Sequence, residues 1–256
     1  MRAQTLPAAA GWQWLLGGFA IFRRDPVTLG MLVISYWFTL LLCNILPLVG
    51  SLVASMVIPG LSVGLMQAAR NVERGQPISL NTLFGGLQEN SRTLLLLGAL
   101  YLLCTLGALG LSALFDGGSM LSAMVAGKAD DKSPEAADLL LPMLIVMALM
   151  TPVLMAYWFA PVLAAWHKLP LGKSLFFSFV ACWLNWRAFL AYGIGLFVLA
   201  GLLPGILLGV LLVLMPGAQG MATVLVTMPM ILLVAPVVFA SFYASYRDIF
   251  GVSEVV

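Results

Sequence analysis

Six stretches of the chain are apolar for long enough to cross a membrane, which takes about 20 residues. They run over 27–46, 48–69, 93–115, 139–165, 188–214 and 221–246, and none contains a charged residue. This pattern predicts an all-α polytopic fold: six transmembrane helices in three hairpins, forming one integral membrane domain over 1–256. The separators differ in character. Residues 44–50 (NILPLVG) and 215–220 (MPGAQG) read as tight uncharged turns, 70–92 is polar, 116–138 is polar and acidic, and 166–187 is mixed and basic. The segment 27–69 leaves two options open, because Pro47 and Gly50 mark either a turn between two spans or a re-entrant bend.

A second periodicity precedes each outgoing span. In 79–92, Leu80, Leu83, Phe84 and Leu87 recur at i, i+3, i+4 and i+7, one face of a helix. In 171–187, Leu175, Phe179, Cys182 and Trp186 oppose a weakly polar stripe of Ser174, Ser178, Ala181 and Asn185. In 10–24, Trp12, Leu15, Leu16, Phe19 and Phe22 share a face that Gln13 and Arg24 avoid. These segments predict interfacial amphipathic helices whose apolar faces sink into the headgroup boundary. Each ends in Arg with Gly six residues later: Arg24 and Gly30, Arg92 and Gly98, Arg187 and Gly193. The return spans echo one another too. Pro59 stands eleven residues before Arg70 and Pro236 eleven before Arg247, while Pro161 stands only seven before Lys168. The spacings suggest a threefold internal repeat of interfacial helix plus hairpin, with 116–138 as an insertion in the second unit, on the outer side.

Charge then orients the spans. With the N-terminus in the cytoplasm, the inner segments carry Arg2, Arg23, Arg24, Arg70, Arg74, Arg92, Lys168, Lys173, Arg187 and Arg247. Only Lys128 and Lys132 remain outside, in a loop that also holds Asp116, Asp130, Asp131, Glu135 and Asp138. The positive-inside rule therefore places both termini in the cytoplasm.

Composition excludes several function classes. The chain is 62% hydrophobic and 9% charged, against roughly 45–50% and about 25% for a soluble domain. Its mean hydropathy is +1.07. A soluble enzyme and a disordered chain are ruled out, and a net charge of +2 cannot supply a nucleic-acid-binding face. No apolar run precedes Ala8-Ala9-Ala10 as in a signal peptide, so the first residues are expected to be kept.

The candidate chemistry is sparse. Cys43, Cys104 and Cys182 are widely spaced and read as structural thiols, and the single histidine, His167, makes a His-based zinc site unexpected. No predicted span core holds Asp, Glu, His, Lys or Arg, which argues against a proton pump, a voltage sensor or an ion-coupled carrier. Asn44, Gln67, Thr105, Thr151, Thr223 and Thr227 are milder, and Ser and Thr can bond their own helix carbonyls. Asp25, Glu73, Glu89, His167 and Asp248 are the titratable groups near the inner boundary. Asp25 beside Arg24 and Asp248 beside Arg247 read as local charge compensation. No nucleotide, hydrolase or zinc-protease motif is present. The acidic loop KADDKSPEAAD lacks calcium-loop spacing and reads as a solvated linker. The expectation is no enzyme, no cofactor and no metal.

Small residues mark the expected helix contacts. Gly60 and Gly64 form a GxxxG, Gly201, Gly205 and Gly209 a double one, and Ala240 and Ala244 share the spacing. Pro152, Pro161, Pro204, Pro229 and Pro236 are expected to kink their helices. The feature most open to function is a girdle of Arg23, Arg24, Arg70, Arg74, Arg92, Lys168, Lys173, Arg187 and Arg247. With Trp12, Trp14, Trp166, Trp183 and Trp186 it is expected to contact lipid headgroups, and each basic residue attracts anionic lipid by about 1 kcal/mol.

Three groups of residues carry a resemblance: Trp12-x-Trp14 … Gly18 … Phe22-Arg23-Arg24-x-Pro26, Arg74-Gly75-x-Pro77 … Leu83-Phe84, and Tyr243-x-x-Tyr246-Arg247-Asp248-Ile249-Phe250. With them the chain resembles a group of uncharacterised proteobacterial inner-membrane proteins over most of its length. The resemblance implies a bacterial cytoplasmic-membrane location and a multi-helix fold, and brings no activity, cofactor or catalytic residue. Two functional expectations follow. The first is a non-enzymatic module that organises anionic membrane lipids, a partner membrane protein or a second copy of itself. The alternative is a passive or facilitated conduit for a neutral or apolar solute. A cavity lined by Ser, Thr, Asn44 and Tyr would favour the conduit; a bundle closed by Gly201, Gly205 and Gly209 would favour the module.

Overall fold

The computed structural model describes residues 3–45, 49–116, 136–215, 217 and 219–251. Most of the expected outside loop, 117–135, lies outside the described residues, as do Arg2, Pro47, Lys128 and Lys132. The described residues are almost entirely helical. The chain runs α1 (Ala10–Phe22), α2 (Pro26–Cys43), α3 (Val49–Glu73), α4 (Leu80–Gly85), α5 (Ser91–Asp116), α6 (Ala136–Tyr157) and α7 (Ala160–Trp166). It continues with α8 (Leu171–Leu184), α9 (Trp186–Phe197), α10 (Leu203–Leu214), α11 (Gln219–Pro229) and α12 (Ala235–Phe250). The starts of α2 and α4 carry local signals. The Asp25 carboxylate accepts from the Thr28 N–H at 3.1 Å with Pro26 in the first turn, and Ser79 and Thr82 form a capping box.

Among the described residues six spans are long and apolar enough to cross a membrane: Pro26–Cys43, Val49–Glu73, Ser91–Phe115, Pro142–Trp166, Trp186–Leu214 and Gln219–Phe250. The protein is thus an all-α polytopic membrane protein. The stretch 27–69 is two separate helices, α2 and α3. Their join is tight: a Cβ on Gly50 would lie 2.9 Å from the Asn44 Cα.

The last three spans are each interrupted one turn before a proline. Proline has no N–H and its ring crowds the carbonyl four residues earlier. For Pro161 that residue is Tyr157, where α6 ends. For Pro204 it is Ala200, inside a π-helical turn over Val198–Leu202. For Pro236 it is Leu232, inside a second π turn over Met230–Val234. Pro59 leaves α3 unbroken, and the backbone of Gly98 on α5 comes up against the Ser55–Met56 turn, where a Cβ would lie 2.6 Å from the Met56 Cα. Gly30 on α2 faces the Leu232 carbonyl more loosely, at an ordinary van der Waals distance of 3.9 Å from an ideal Cβ. Two of the three Arg-to-Gly spacings in the sequence therefore place the glycine against the carbonyl that a proline frees. At Gly193 the ideal Cβ has nothing within 4 Å.

The contacts recur in cyclic order. Helix α4 packs on α3, α8 on α6 and α7, and α1 on α12 at the far end of the chain. The core lies where the basic-end halves of α3, α7 and α12 meet. There Leu61, Leu65, Ala68, Leu163, Ala240 and Ile249 are buried. Half of the most apolar window of α3 is buried inside the protein, against none of the corresponding window in Trp186–Leu214. The first helix is central and the second is a lipid-facing flank.

The short helices depart from expectation in which face they bury. In α1 the buried residues are Ala10, Gly11, Trp14, Leu15, Gly18, Ile21 and Phe22, while Trp12, Leu16 and Phe19 stay exposed. Trp14 is not part of a headgroup belt: it is fully buried against Phe189 (5.2 Å between ring centroids) and Tyr192 (5.8 Å). In α8 the weakly polar stripe faces the protein. Ser174, Ser178, Ala181 and Asn185 are buried and Phe176 and Trp183 point out. Lipid is as apolar as Leu, so small and hydrogen-bonding residues, not the large apolar ones, mark helix contacts. The expected helix over 79–92 is only α4 and turns, ending at Asn90 with φ +49°.

Candidate functional site

Three return helices deliver polar side chains to one end of the molecule. Glu73, in the last turn of α3, pairs with Arg247 of α12, and the Tyr243 hydroxyl donates to Glu73 Oε2 at 2.7 Å. Arg247 Nε also donates to Asp248 Oδ1 at 2.9 Å. Arg24 Nη1 donates to the Glu73 carbonyl at 2.6 Å, which joins the start of α2 to the end of α3. Beside this group the Arg70 guanidinium lies 4.8 Å from the Trp166 ring centroid, and Arg70 Nε is buried with no hydrogen-bond partner. His167 Nε2 and the Tyr246 hydroxyl are 2.6 Å apart. Burial, then the charge of Arg70, holds His167 below its ordinary value near 6.5.

Of the nine basic residues singled out in the sequence, Arg24, Arg70 and Arg247 therefore converge on the Glu73 cluster. The other six are spread over the same end. Arg23 lies over Phe19 at 5.3 Å and Arg187 over Trp186 at 5.4 Å. Lys168 pairs with Glu89, both largely exposed. Arg74, Arg92 and Lys173 are exposed. Two asparagines tie this end together: Asn90, which sequence reasoning missed, and Asn185, which it placed in the polar stripe of 171–187 without a role. Asn90 Nδ2 donates to the Ala164 carbonyl at 2.9 Å. Asn185 accepts from the Leu6 N–H at 2.8 Å and donates to the Gln4 and Ala181 carbonyls, each at 2.9 Å. The signal available was Asn two residues before Arg in both places, Asn90-x-Arg92 and Asn185-x-Arg187. Burial pushes the Cys182 thiol up to about 12, so it packs as a neutral side chain.

The glycine pairs also divide. Gly60 and Gly64 form a notch for the α4 segment, where a Cβ on Gly64 would lie 2.7 Å from the Leu83 carbonyl carbon and one on Gly86 2.5 Å from Gly64 N. Gly205 and Gly209 have nothing within 4 Å, and Gly201 meets only Phe197 of its own span. The double GxxxG closes no bundle among the described residues.

Two hollows open between the helices. A groove of about 320 Å³ lies between α1, the α9–α10 span and the second π turn. Trp12, Leu16 and Phe19 form one wall, and Val198, Leu199 and Val234 face them. Every lining residue is apolar or glycine. A second cavity, of about 220 Å³, lies between α3, α5, the α6–α7 break and α12. Ser55, Ser62, Tyr101 and Tyr157 line it, with Trp158 and Phe242. Asn44 and the span threonines are elsewhere. Asn44 donates to the Leu40 carbonyl, and Thr105, Thr151 and Thr223 each donate to the carbonyl four residues back.

Six apolar spans whose return helices share one core define an α-helical integral membrane protein. No family model matches the chain, and no solved structure matches it. A curated protein of Burkholderia thailandensis, described as a probable inner membrane protein, is 34% identical over 261 residues, covering 99% of this chain and 96% of that one. The chain belongs to the family of that inner-membrane protein.

Proposed function

We propose that this is a non-enzymatic inner-membrane protein that binds and organises anionic phospholipid at its basic end, with that end and both termini in the cytoplasm. The observation that carries the reading is the apolar groove under α1 with Arg23 at its lip, stacked on the lining residue Phe19. An acyl chain matches the lining. The chain itself gains little, since it leaves an equally apolar bilayer, so selectivity rests on the headgroup. Each basic residue near it contributes about 1 kcal/mol towards an anion. Arg23 is exposed and stacks on the groove wall at Phe19, whereas Arg24 and Arg247 already serve Glu73. The test is native mass spectrometry of protein extracted from vesicles of equal phosphatidylglycerol and phosphatidylcholine. Phosphatidylglycerol is retained preferentially, and Arg23→Gln reduces that preference about fivefold, the equivalent of roughly 1 kcal/mol. Equal retention of the zwitterionic lipid overturns the reading.

A second reading, a passive conduit for a neutral solute, draws on the cavity at the α6–α7 break, since irregular backbone at membrane depth is tolerated where it lines a cavity. Glycerol-driven swelling of proteoliposomes tests it, and a rate equal to that of empty vesicles refutes it.

A further inference from the structure

We infer that the cavity at the α6–α7 break is a binding site for a neutral, lipid-soluble aromatic molecule carrying a hydrogen-bond-accepting oxygen. The site is separate from the lipid groove and does not depend on it.

The first argument is an imbalance of hydrogen bonds. The Tyr157 hydroxyl and the Trp158 indole N–H are both buried, both belong to residues lining the cavity, and neither has a partner among the described residues. Buried polar groups almost always have one, and in a membrane protein water cannot be assumed to supply it. The orphan groups are not a by-product of the helix break, because the break is repaired separately. The Phe159 N–H donates to Ser178 Oγ at 2.9 Å, and Ser178 Oγ donates to the Met155 carbonyl at 2.8 Å. Nor do the other wall hydroxyls relieve them: none of Ser55, Ser62 and Tyr101 forms a hydrogen bond with either group. An indole N–H can only donate. Whatever meets Trp158 therefore presents an acceptor.

The remaining walls define the rest of the molecule. No charged residue lines the cavity, so an ion would be left unpaired there. Aromatic rings dominate, and they meet edge to face: Tyr101 with Tyr157 at 5.2 Å and Trp158 with Phe242 at 4.9 Å. A flat ring extends such an array by the same geometry. Ile58 and Met66 on α3 supply an apolar, adaptable opposite side.

The experiment uses the full chain in phosphatidylcholine nanodiscs with benzophenone, an aromatic ketone that crosslinks to nearby C–H groups on irradiation. The adduct is expected on the α3 peptide carrying Ile58 and Met66. Fluorenone competes at least about fivefold better than fluorene at equal bilayer concentration, because the two differ only in the carbonyl oxygen. Tyr157→Phe and Trp158→Phe, each keeping the wild-type unfolding midpoint, each lower labelling about fivefold, the loss of one hydrogen bond. The inference is overturned if the label spreads over lipid-facing residues of α10, if fluorene competes as well as fluorenone, or if both variants label like the wild type. Failure of lipid selectivity at Arg23 leaves all three readouts unchanged, so the two proposals fail separately.

Discussion

Gly64→Ala and Gly205→Ala change the same motif and are expected to change stability in opposite directions. In an isolated helix the substitution is favourable by about 1 kcal/mol, because alanine loses less backbone freedom. At Gly205 that is the whole effect, since nothing lies within 4 Å of the new Cβ. At Gly64 the Cβ would lie 2.7 Å from the Leu83 carbonyl carbon and 2.8 Å from its Cα, inside the 3.0 Å that real Cβ contacts essentially never cross. Those are backbone atoms, so no rotamer relieves the clash and α4 must move off α3. Moving it also withdraws Leu83, which is fully buried, and uncovers Gly60 and Gly86. Overpacking costs about 1–3 kcal/mol, and a backbone clash that no rotamer relieves belongs in the upper part of that range, about 2–3 kcal/mol. After the helix gain, Gly64→Ala should be about 1–2 kcal/mol less stable than wild type, and Gly205→Ala equal to it or up to about 1 kcal/mol more stable. Reversible unfolding in mixed micelles, followed by intrinsic fluorescence, measures both. The reasoning is refuted if Gly64→Ala is as stable as wild type, or if Gly205→Ala falls as far as Gly64→Ala does. The second result would mean that Gly205 packs against a partner in the membrane.

Asn185→Ala removes three hydrogen bonds, two of which hold the segment before α1. It should cost about 2 kcal/mol, and hydrogen exchange at the Leu6 amide should accelerate while exchange in α3 does not; unchanged protection at Leu6 contradicts the assignment. His167 gives a pH dependence of definite sign. Its folded pKa is lowered by burial and then by Arg70, so the stability it contributes is whole above about pH 6.5. That contribution declines as pH falls through the folded value, because the unfolded chain takes up the proton first. The wild type should therefore lose unfolding midpoint between pH 7 and 5 more steeply than His167→Gln. Parallel pH profiles for the two would show that His167 is not held neutral.

How much was legible beforehand follows from how local each property is. Span positions depend on runs of apolar residues and on where charges are missing, and the observed helices begin and end within a few residues of those runs. The break before Pro161 and the π turns before Pro204 and Pro236 were legible as kinks, because the missing N–H belongs to the proline itself, whereas Pro152 and Pro229, expected to kink as well, lie inside α6 and α11 with no interruption before them. The buried faces of α1 and α8 were not. Trp14 and Trp12 sit two residues apart with the same chemistry, and only the docking of Gly11 against Ala188 and Tyr192, and of Gly18 against Ser241, turns Trp14 inward. Glu73 was visible only as an acidic residue near the boundary. That it meets Arg247 and Tyr243, 170 or more positions away, depends on α12 returning to lie on α3.

The amino-acid sequence alone determined the class of this protein, its six spans and the gathering of basic residues at one end, since each reflects the local cost of placing charge or backbone in hydrocarbon. Tertiary structure decided which glycines are contacts, which tryptophan is core, and where two hollows open between the helices. Those outcomes depend on which helix surfaces meet. In a bilayer that is decided by close fit and hydrogen bonding between distant segments, because apolarity no longer distinguishes a buried face from one that lipid covers.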